Sequence, residues 1–290
     1  MVKRIACVAA ALLLCAPAAF GQAGGLVLYE NGAVDMGLSY AGAGARAQDA
    51  ATAFANPAGM TRLEGNHMQL GVMAILIDME LELGPGTVSD PAGSFDGGGD
   101  LSQFAPGLGS FGVISINERL KFGFSVSALA ANGVEYDLSW VGRTFVVENQ
   151  FVAANFQPGL GYRLNDKWSV GASLNVLYGS LEQDLLASSA VGAPTIEIDD
   201  ADDYAFGGTF GLMFEPSPTT RLGLTYRTEF EFDLSGDIDV AAPINVGFDS
   251  VMTFAQGINL SIYHELNERV ALLGDVGWSD WSAFDRMPTT

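Results

Sequence analysis

Cysteine is nearly absent. The chain of 290 residues holds two, Cys7 and Cys15, both within its first fifteen positions. Beyond them no disulfide framework, thiolate metal site or cysteine nucleophile is available. Basic residues are scarce as well: 13 Lys and Arg stand against 34 Asp and Glu, a formal charge of −21. Nucleic acid is therefore not expected as a partner. Histidine occurs only as His67 and His264, each at the end of or within a strand-like segment. His264-Glu265 has no second histidine four residues on, so the zincin pattern fails, and neither a nucleophile elbow nor a phosphate loop is present. The acidic stretches "DGGGD" (96–100) and "DDADD" (199–203) lack EF-hand spacing; they read as solvated loops, with Ca²⁺ binding through their carboxylates as the alternative. No catalytic residue, metal site or cofactor is assigned. After the leader no apolar run reaches 18 residues, which excludes transmembrane helices on length.

What is present begins with that leader. Lys3 and Arg4 precede an apolar run from Ile5 to about Phe20, and small residues then offer cleavage after Gly21 or Ala23. This is the pattern of a secretory signal peptide, assigned to residues 1–23, and the run is short for a membrane span. A lipoprotein cysteine at Cys15 is disfavoured because Leu14 stands where a small residue is usual. Loss of Lys3 and Arg4 with the leader leaves 11 basic residues and a charge of −23. Yet 49% of the chain is hydrophobic. Acidic and apolar residues must then be segregated. A membrane protein without apolar helices has to be a closed barrel, because open sheet edges leave backbone groups unsatisfied in lipid.

Period-two alternation supports strands. Trp168, Val170, Ala172, Leu174, Val176 and Tyr178 share one face; Ser169, Gly171, Ser173, Asn175 and Gly179 share the other. The segment 221–232 repeats this, with Leu222, Leu224, Tyr226, Phe230 and Phe232 opposite Arg221, Gly223, Thr225, Arg227, Glu229 and Glu231. Alternation alone does not separate a membrane barrel from a soluble sandwich, but the connections do. Nine strands are expected near 67–82, 108–117, 120–131, 149–163, 168–184, 204–215, 220–234, 251–265 and 269–282. Tight links (117–119, 164–167, 216–219, 266–268) alternate with long ones (83–107, 132–148, 185–203, 235–250). Short turns on one side and long loops on the other mark an outer-membrane barrel. Tyr162 and Trp168 flank one tight turn, and Trp278 and Trp281 end the ninth strand, where a lipid–water boundary favours aromatic rings. An odd strand count leaves the two ends on opposite sides, whereas single-chain bacterial barrels have even counts. The expectation is that the barrel strands of 66–290 are an incomplete set.

Residues 24–65 do not alternate. "SYAGAGARAQDAATAFANPAGMTRL" is small and helix-permissive, and Pro57 should end a helix by Asn56. A barrel wider than about eight strands leaves a lumen that side chains cannot fill. An N-terminal plug is the physical solution. Here the sequence resembles the hatch of the FadL/TodX family of long-chain fatty acid transporters. Gly37, Tyr40, Gly42, Gly44, Asp49-Ala50 and Asn56-Pro57-Ala58 carry the resemblance, together with "EYDLSWVGR" (135–143), "GYRLNDKWSVGASLNVLYG" (161–179) and "LLGDVGWSDWSAF" (272–284), in the family's order. The family closes a fourteen-stranded barrel; nine strands are read here, so about five are missing.

The resemblance implies an all-β, antiparallel transmembrane barrel in a Gram-negative outer membrane, with a small helical hatch. It implies passive uptake of long-chain fatty acids or other hydrophobic compounds, aromatic hydrocarbons among them, and no enzymatic activity. Ligand is captured at the outer loops, passed to a pocket at the hatch N-terminus and released sideways through a kinked third strand. Carried over, Leu26, Val27, Leu28 and Tyr29 line the pocket, while Gly42, Gly44, Asn56, Pro57 and Ala58 set the hatch fold. Gly133 is the expected kink. Arg143, Arg227, Glu229 and Asp275 are expected lumen charges that pair across the lumen, anchor the hatch or meet a carboxylate head. Expected partners are the hydrophobic ligand, outer-membrane lipid and lipopolysaccharide, and the barrel assembly machinery, with a monomeric barrel. The alternatives are an outer-membrane lipolytic enzyme, with a serine beside His67 or His264, and a structural or adhesive barrel.

Overall fold

The computed structural model describes residues 32–80, 101–187, 195–240 and 244–282. The leader, Leu26–Tyr29 and the loop "GPGTVSDPAGSFDGGGD" lie outside those residues.

Among the described residues eleven antiparallel strands follow one another: β1 (His67–Met79), β2 (Leu101–Ser115), β3 (Leu120–Glu135), β4 (Glu148–Arg163), β5 (Trp168–Leu186), β6 (Thr195–Ser217), β7 (Thr220–Arg227), β8 (Phe230–Val240), β9 (Ile244–Phe254), β10 (Gly257–Asn267) and β11 (Val270–Ser279). Neighbours in sequence pair in space from β1 to β7, β7 then pairs with β10 and β10 with β11, while β8 joins β6 and β9. Four tight connections, at 116–119, 164–167, 218–219 and 268–269, lie on one side.

The expected count of nine is corrected to eleven. The segment read as 220–234 breaks at Thr228-Glu229, and that read as 251–265 breaks at Ala255-Gln256. Much of the long link read at 235–250 is paired strand, as Val240↔Ile244 to Ser235↔Asp249. The break also turns the faces over. In β7 Arg221, Gly223 and Thr225 are buried; in β8 Phe230, Phe232 and Leu234 are buried and Glu231 and Asp233 exposed. Phe230 and Phe232 therefore do not share a face with Leu222 and Leu224. The apolar residues stay on even numbers through the break, so sequence parity conceals the flip.

Burial settles the choice between sandwich and barrel. Along β5 the polar residues are the buried ones: Ser169, Ser173 and Asn175 are at most 7% exposed, whereas Leu174 is 52% exposed. On β1, Met68, Val72 and Leu76 are 75–80% exposed. A soluble sheet would bury the second set and wet the first. Here the apolar face suits lipid, and the polar face is covered from within. Exposed aromatics bound the apolar band. Tyr162 and Trp168 lie at the tight-turn end, and Tyr178 and Tyr204 pack together at 5.2 Å further along. The ten-residue rise from Trp168 to Tyr178, at about 3.3 Å per residue and a tilt of about 40°, spans roughly 25 Å, the height of an outer-membrane apolar band.

The covering from within is the hatch, made of α1 (Ala33–Gly37), α2 (Ala43–Arg46), α3 (Thr52–Ala55) and a 3-10 segment (Pro57–Arg62). It touches nearly the whole sheet: α1 meets β1, α3 meets β2 to β4, the 3-10 segment meets β3 to β6, and α2 meets β7, β10 and β11. The strands thus curve around it.

Candidate functional site

Phe54, Met60 and Leu63 pack the hatch into the core, and short polar side chains fix the rest, which is mostly Ala and Gly. Asn56, fully buried, ends α3 in extended geometry before Pro57 and starts the 3-10 segment. Its Oδ1 accepts from the Ala58 N–H at 3.0 Å. Its Nδ2 donates to the carbonyls of Gly44, at 2.7 Å, and Leu212 on β6, at 3.2 Å. The wall answers with its polar face. Gln157 Nε2 donates to the Ala53 and Phe54 carbonyls and Thr225 Oγ1 to the Ala55 carbonyl. Thr61 Oγ1 reaches Ser169 Oγ at 2.8 Å. These contacts explain why inward positions are Ser, Thr, Asn and Gln: they satisfy hatch backbone that water does not reach.

Glycines let the backbones meet. Gly161, Gly171 and Gly211 face one another across β4, β5 and β6 in register. A Cβ on Gly211 would lie 2.0 Å from Asn56 Oδ1, one on Gly171 2.4 Å from Ala58 N, and one on Gly161 2.6 Å from the Pro57 oxygen. On β7, two residues off that row, Gly223 lies beneath the Gly44 carbonyl. The Asn-Pro-Ala turn therefore lies flat on a bare strip of wall. Sequence reading did not find this strip, because its members align only through strand register.

Of the expected hatch residues, Gly42 and Gly44 sit where side chains have no room. Gly42 has φ +68, and its N–H donates to the Asp275 carboxylate on β11. A Cβ on Gly44 would meet Ser261 Oγ at 2.5 Å. Asp275 also accepts from Asn259 Nδ2 at 3.0 Å and from Ser261 Oγ, so it ties hatch to wall. Arg227 lies inside, its guanidinium 4.9 Å from the centre of the Phe54 ring. Arg227, Asp275, Tyr40, Ala55 and Asn259 border a cavity of about 300 Å³ between hatch and wall.

The other two expected lumen charges are placed elsewhere. Glu229 falls in the break between β7 and β8 and is exposed, because the face flips there. Arg143 is buried, in the loop between β3 and β4, where its carbonyl accepts from the Leu186 N–H. Arginines missed by the sequence reading cluster at the tight-turn end. Arg62 pairs with Glu215, Arg163 donates to the Thr61 carbonyl at 2.5 Å, and Arg221 stands over the Tyr263 ring at 3.7 Å. Burial, followed by the charges of Arg221 and Arg163, lowers Arg62 to about 10, so it stays charged at neutral pH. Ion pairing also joins α1 and α2, through the buried Asp35 and Arg46 at 2.5 Å.

The irregularity of the third strand lies at Leu129, not at Gly133. Register with β4 shifts between Ala128 and Ala130, while Gly133 pairs normally with Gln150. β2 and β3 pair only from Ser115↔Lys121 to Gly109↔Ser127. Beyond that level, among the described residues, β2 pairs with β1 and β3 with β4. The β2–β3 ladder thus stops at Gly109↔Ser127, short of the far ends of both strands. The histidines occupy ordinary polar contacts at the tight-turn end: His67 Nε2 lies 2.8 Å from the Glu64 carbonyl oxygen and His264 Nδ1 2.8 Å from Thr220 Oγ1.

A lipid-facing antiparallel wall curved around a glycine-cradled plug defines a plugged outer-membrane β-barrel protein. Residues 14–290 match the family model described as outer membrane protein transport protein (OMPP1/FadL/TodX), and the chain belongs to that family. It is 25% identical over 235 residues to a long-chain fatty acid transport protein of Escherichia coli O6:H1, covering 73% of this chain but 52% of that protein. The chain therefore spans about half the length of that relative. Among solved structures it resembles a Pseudomonas aeruginosa FadL homologue, with a TM-score of 0.79 at 21% identity over 91% of this chain and 71% of the other. It also resembles the Pseudomonas putida toluene transporter TodX, with a TM-score of 0.62 at 16% identity over 80% and 66%.

Proposed function

We propose that this chain serves passive passage of long-chain fatty acids or other hydrophobic compounds across the outer membrane. The observation that supports the proposal is a hatch in contact with most of the strands together with a β2–β3 ladder that stops at Gly109↔Ser127, which we read as a side opening. A water-filled porin has no use for a plug that seals its lumen with backbone contacts. A hydrophobic solute gains from leaving sideways into lipid rather than downwards into water. Ligand enters from the end opposite the tight turns, rests against the hatch and leaves through the gap beside Leu129. Leu26, Val27, Leu28 and Tyr29, at the entry to the hatch, supply the apolar pocket. Arg227 supplies a cation to a carboxylate head from the cavity beside Phe54, and Asp275 holds the hatch backbone that borders it.

The chain is not an enzyme in this reading: its relatives are transport proteins, and each histidine is engaged by a carbonyl or a threonine. Its remaining partners are lipid around the exposed apolar band, lipopolysaccharide beside the acidic outer strands and the barrel assembly machinery. The barrel acts as a monomer.

Two variants test the site. Deleting Leu26–Tyr29 lowers binding of a fluorescent fatty acid while the folded barrel keeps its heat resistance in detergent; unchanged binding would remove these residues from the pocket. Arg227→Ala weakens fatty acid binding but leaves a neutral aromatic hydrocarbon unaffected. Equal loss for both would assign Arg227 to hatch structure instead.

A further inference from the structure

A crease runs across three neighbouring strands at one level. β7 gives way to β8 at Thr228-Glu229, and β9 to β10 at Ala255-Gln256. On β6, pairing with β7 stops at Thr209↔Arg227 and pairing with β8 resumes at Asp202↔Ser235. The intervening Gly207 and Gly208 pair with β5. Polar contacts pin the crease itself. The Thr228 N–H donates to the Gly208 carbonyl at 3.0 Å, the Gly208 N–H to Thr228 Oγ1 at 2.9 Å, and the Tyr226 hydroxyl to Gln256 Oε1 at 2.9 Å. Below the crease the outer face is apolar, with Phe210, Leu224 and Leu260 exposed; above it Glu231 and Asp233 are exposed. The crease thus coincides with the edge of the apolar band, and β8 and β9 stand outside the bilayer.

The inner face of this outer part is aromatic. Phe232 of β8 and Phe254 of β9 meet Phe151, which belongs to β4, three strands round the wall from β8. Phe151 stacks on Phe254 at 5.9 Å, and Phe232 meets the two edge-on at 6.3 and 5.8 Å. All three are at most 2% exposed, and Leu181, Ile198 and Leu234 pack around them. Phe232 reaches this position because β5 offers Gly179 there: a Cβ on that residue would lie 2.8 Å from the ring. The rings of β8 and β9 thus lean across β6 and β5 to touch β4 and fill the lumen above the hatch. The ladder that fastens β8 to β6 is short and contains Glu197 directly opposite Asp239, a like-charge pair that weakens it.

We infer that β8 and β9 form a flap hinged at this crease, whose Phe232–Phe254 underside closes against Phe151 and gates the lumen from the cell exterior. The inference rests on the transport reading and adds an entry gate to it. Among the described residues, lifting the flap breaks the aromatic contacts, the short β6–β8 ladder and the bond from the Asp233 N–H to the Asp203 carboxylate. A hydrophobic solute restores those apolar contacts as it enters, whereas water does not, so the open state is favoured by the cargo itself.

A reversible lock tests this in the full-length protein in outer membranes, since no cysteine occurs after Cys15. Ile198 and Ile238 are directly opposed on β6 and β8, a spacing suited to a cross-strand disulfide. A control lock joins Leu212 and Leu224, opposed below the crease. Oxidised I198C/I238C is expected to lose saturable uptake of radiolabelled fatty acid and regain it on reduction, with the control unaffected. A third substitution, L234C, reports movement without reference to transport. The thiol at position 234, its labelling read by peptide mass apart from the two lock cysteines, should react with a membrane-impermeant maleimide when the lock is reduced and be protected when it is oxidised. Leu234→Cys that stays unreactive in both states would overturn the flap. A reactive thiol with uptake unchanged by the lock would overturn its role as a gate. If the unlocked protein shows no saturable uptake, the transport reading fails, and maleimide protection alone still decides whether the flap moves.

Discussion

Asn56 meets three backbone groups from one buried side chain, and its neighbours in the wall are glycines because nothing larger fits. Replacing it by Ala strands the Gly44 and Leu212 carbonyls and the Ala58 N–H. Leaving buried polar groups unpaired costs about 1–3 kcal/mol per group. Asn56→Asp removes both donors and sets a carboxylate against the two carbonyls, so it is expected to be the worse change. On the facing strip, Gly211→Ala places a methyl against Asn56 Oδ1 and Gly171→Ala places one against backbone. Overpacking of this kind costs about 1–3 kcal/mol, and Gly171 should be the less tolerant because backbone yields less than a side chain. All four variants should lower the temperature at which the compact form is lost on heating in detergent, and should expose the hatch to added protease. A chain carrying Asn56→Asp with unchanged heat resistance and protease protection would contradict this account of the cradle.

Single strands show how much was legible in the sequence. The alternation of β5 was plain, and its outward set is the lipid-facing one. Leu174, near the middle of that set, is expected to tolerate no charge: Leu174→Arg should cost about 2–4 kcal/mol, as at other barrel midplanes, and reduce the folded fraction in the outer membrane. The same change at Phe206, at the rim of the band, should cost less. Equal costs would mean that this face is not immersed. The hatch was also legible, since Asn56-Pro57 ends a helix by local sterics and its small residues leave no amphipathic stripe. Three features were not. The break at Thr228-Glu229 preserves even-numbered apolarity while reversing the face, so period-two reasoning passes straight through it. The slip at Leu129 carries no glycine to mark it, and Gly133, which suggested itself, is regularly paired. The strip of Gly161, Gly171 and Gly211 becomes visible only when three strands are set in register.

At the scale of the molecule, charge and hydropathy divide the chain into layers. Apolar residues occupy a lipid-facing band bounded by Tyr162 and Trp168 at one edge and Tyr178 and Tyr204 at the other. Polar residues face inward onto the hatch, and acidic ones cover the strands beyond the band. The excess of 34 acidic over 13 basic residues is thus partly a property of the strands beyond the band. In the proposed transport reading, the hatch, the end of the β2–β3 ladder and the apolar lumen above them form one path that leads a hydrophobic solute sideways into lipid. The most direct measurement is initial uptake of a radiolabelled long-chain fatty acid by Gram-negative cells lacking their own transporter and supplied with this protein. Saturable uptake above that of cells without the protein, unaccompanied by permeability to small hydrophilic solutes, is the predicted result. Uptake that rises linearly and equals that of cells without the protein would contradict the account.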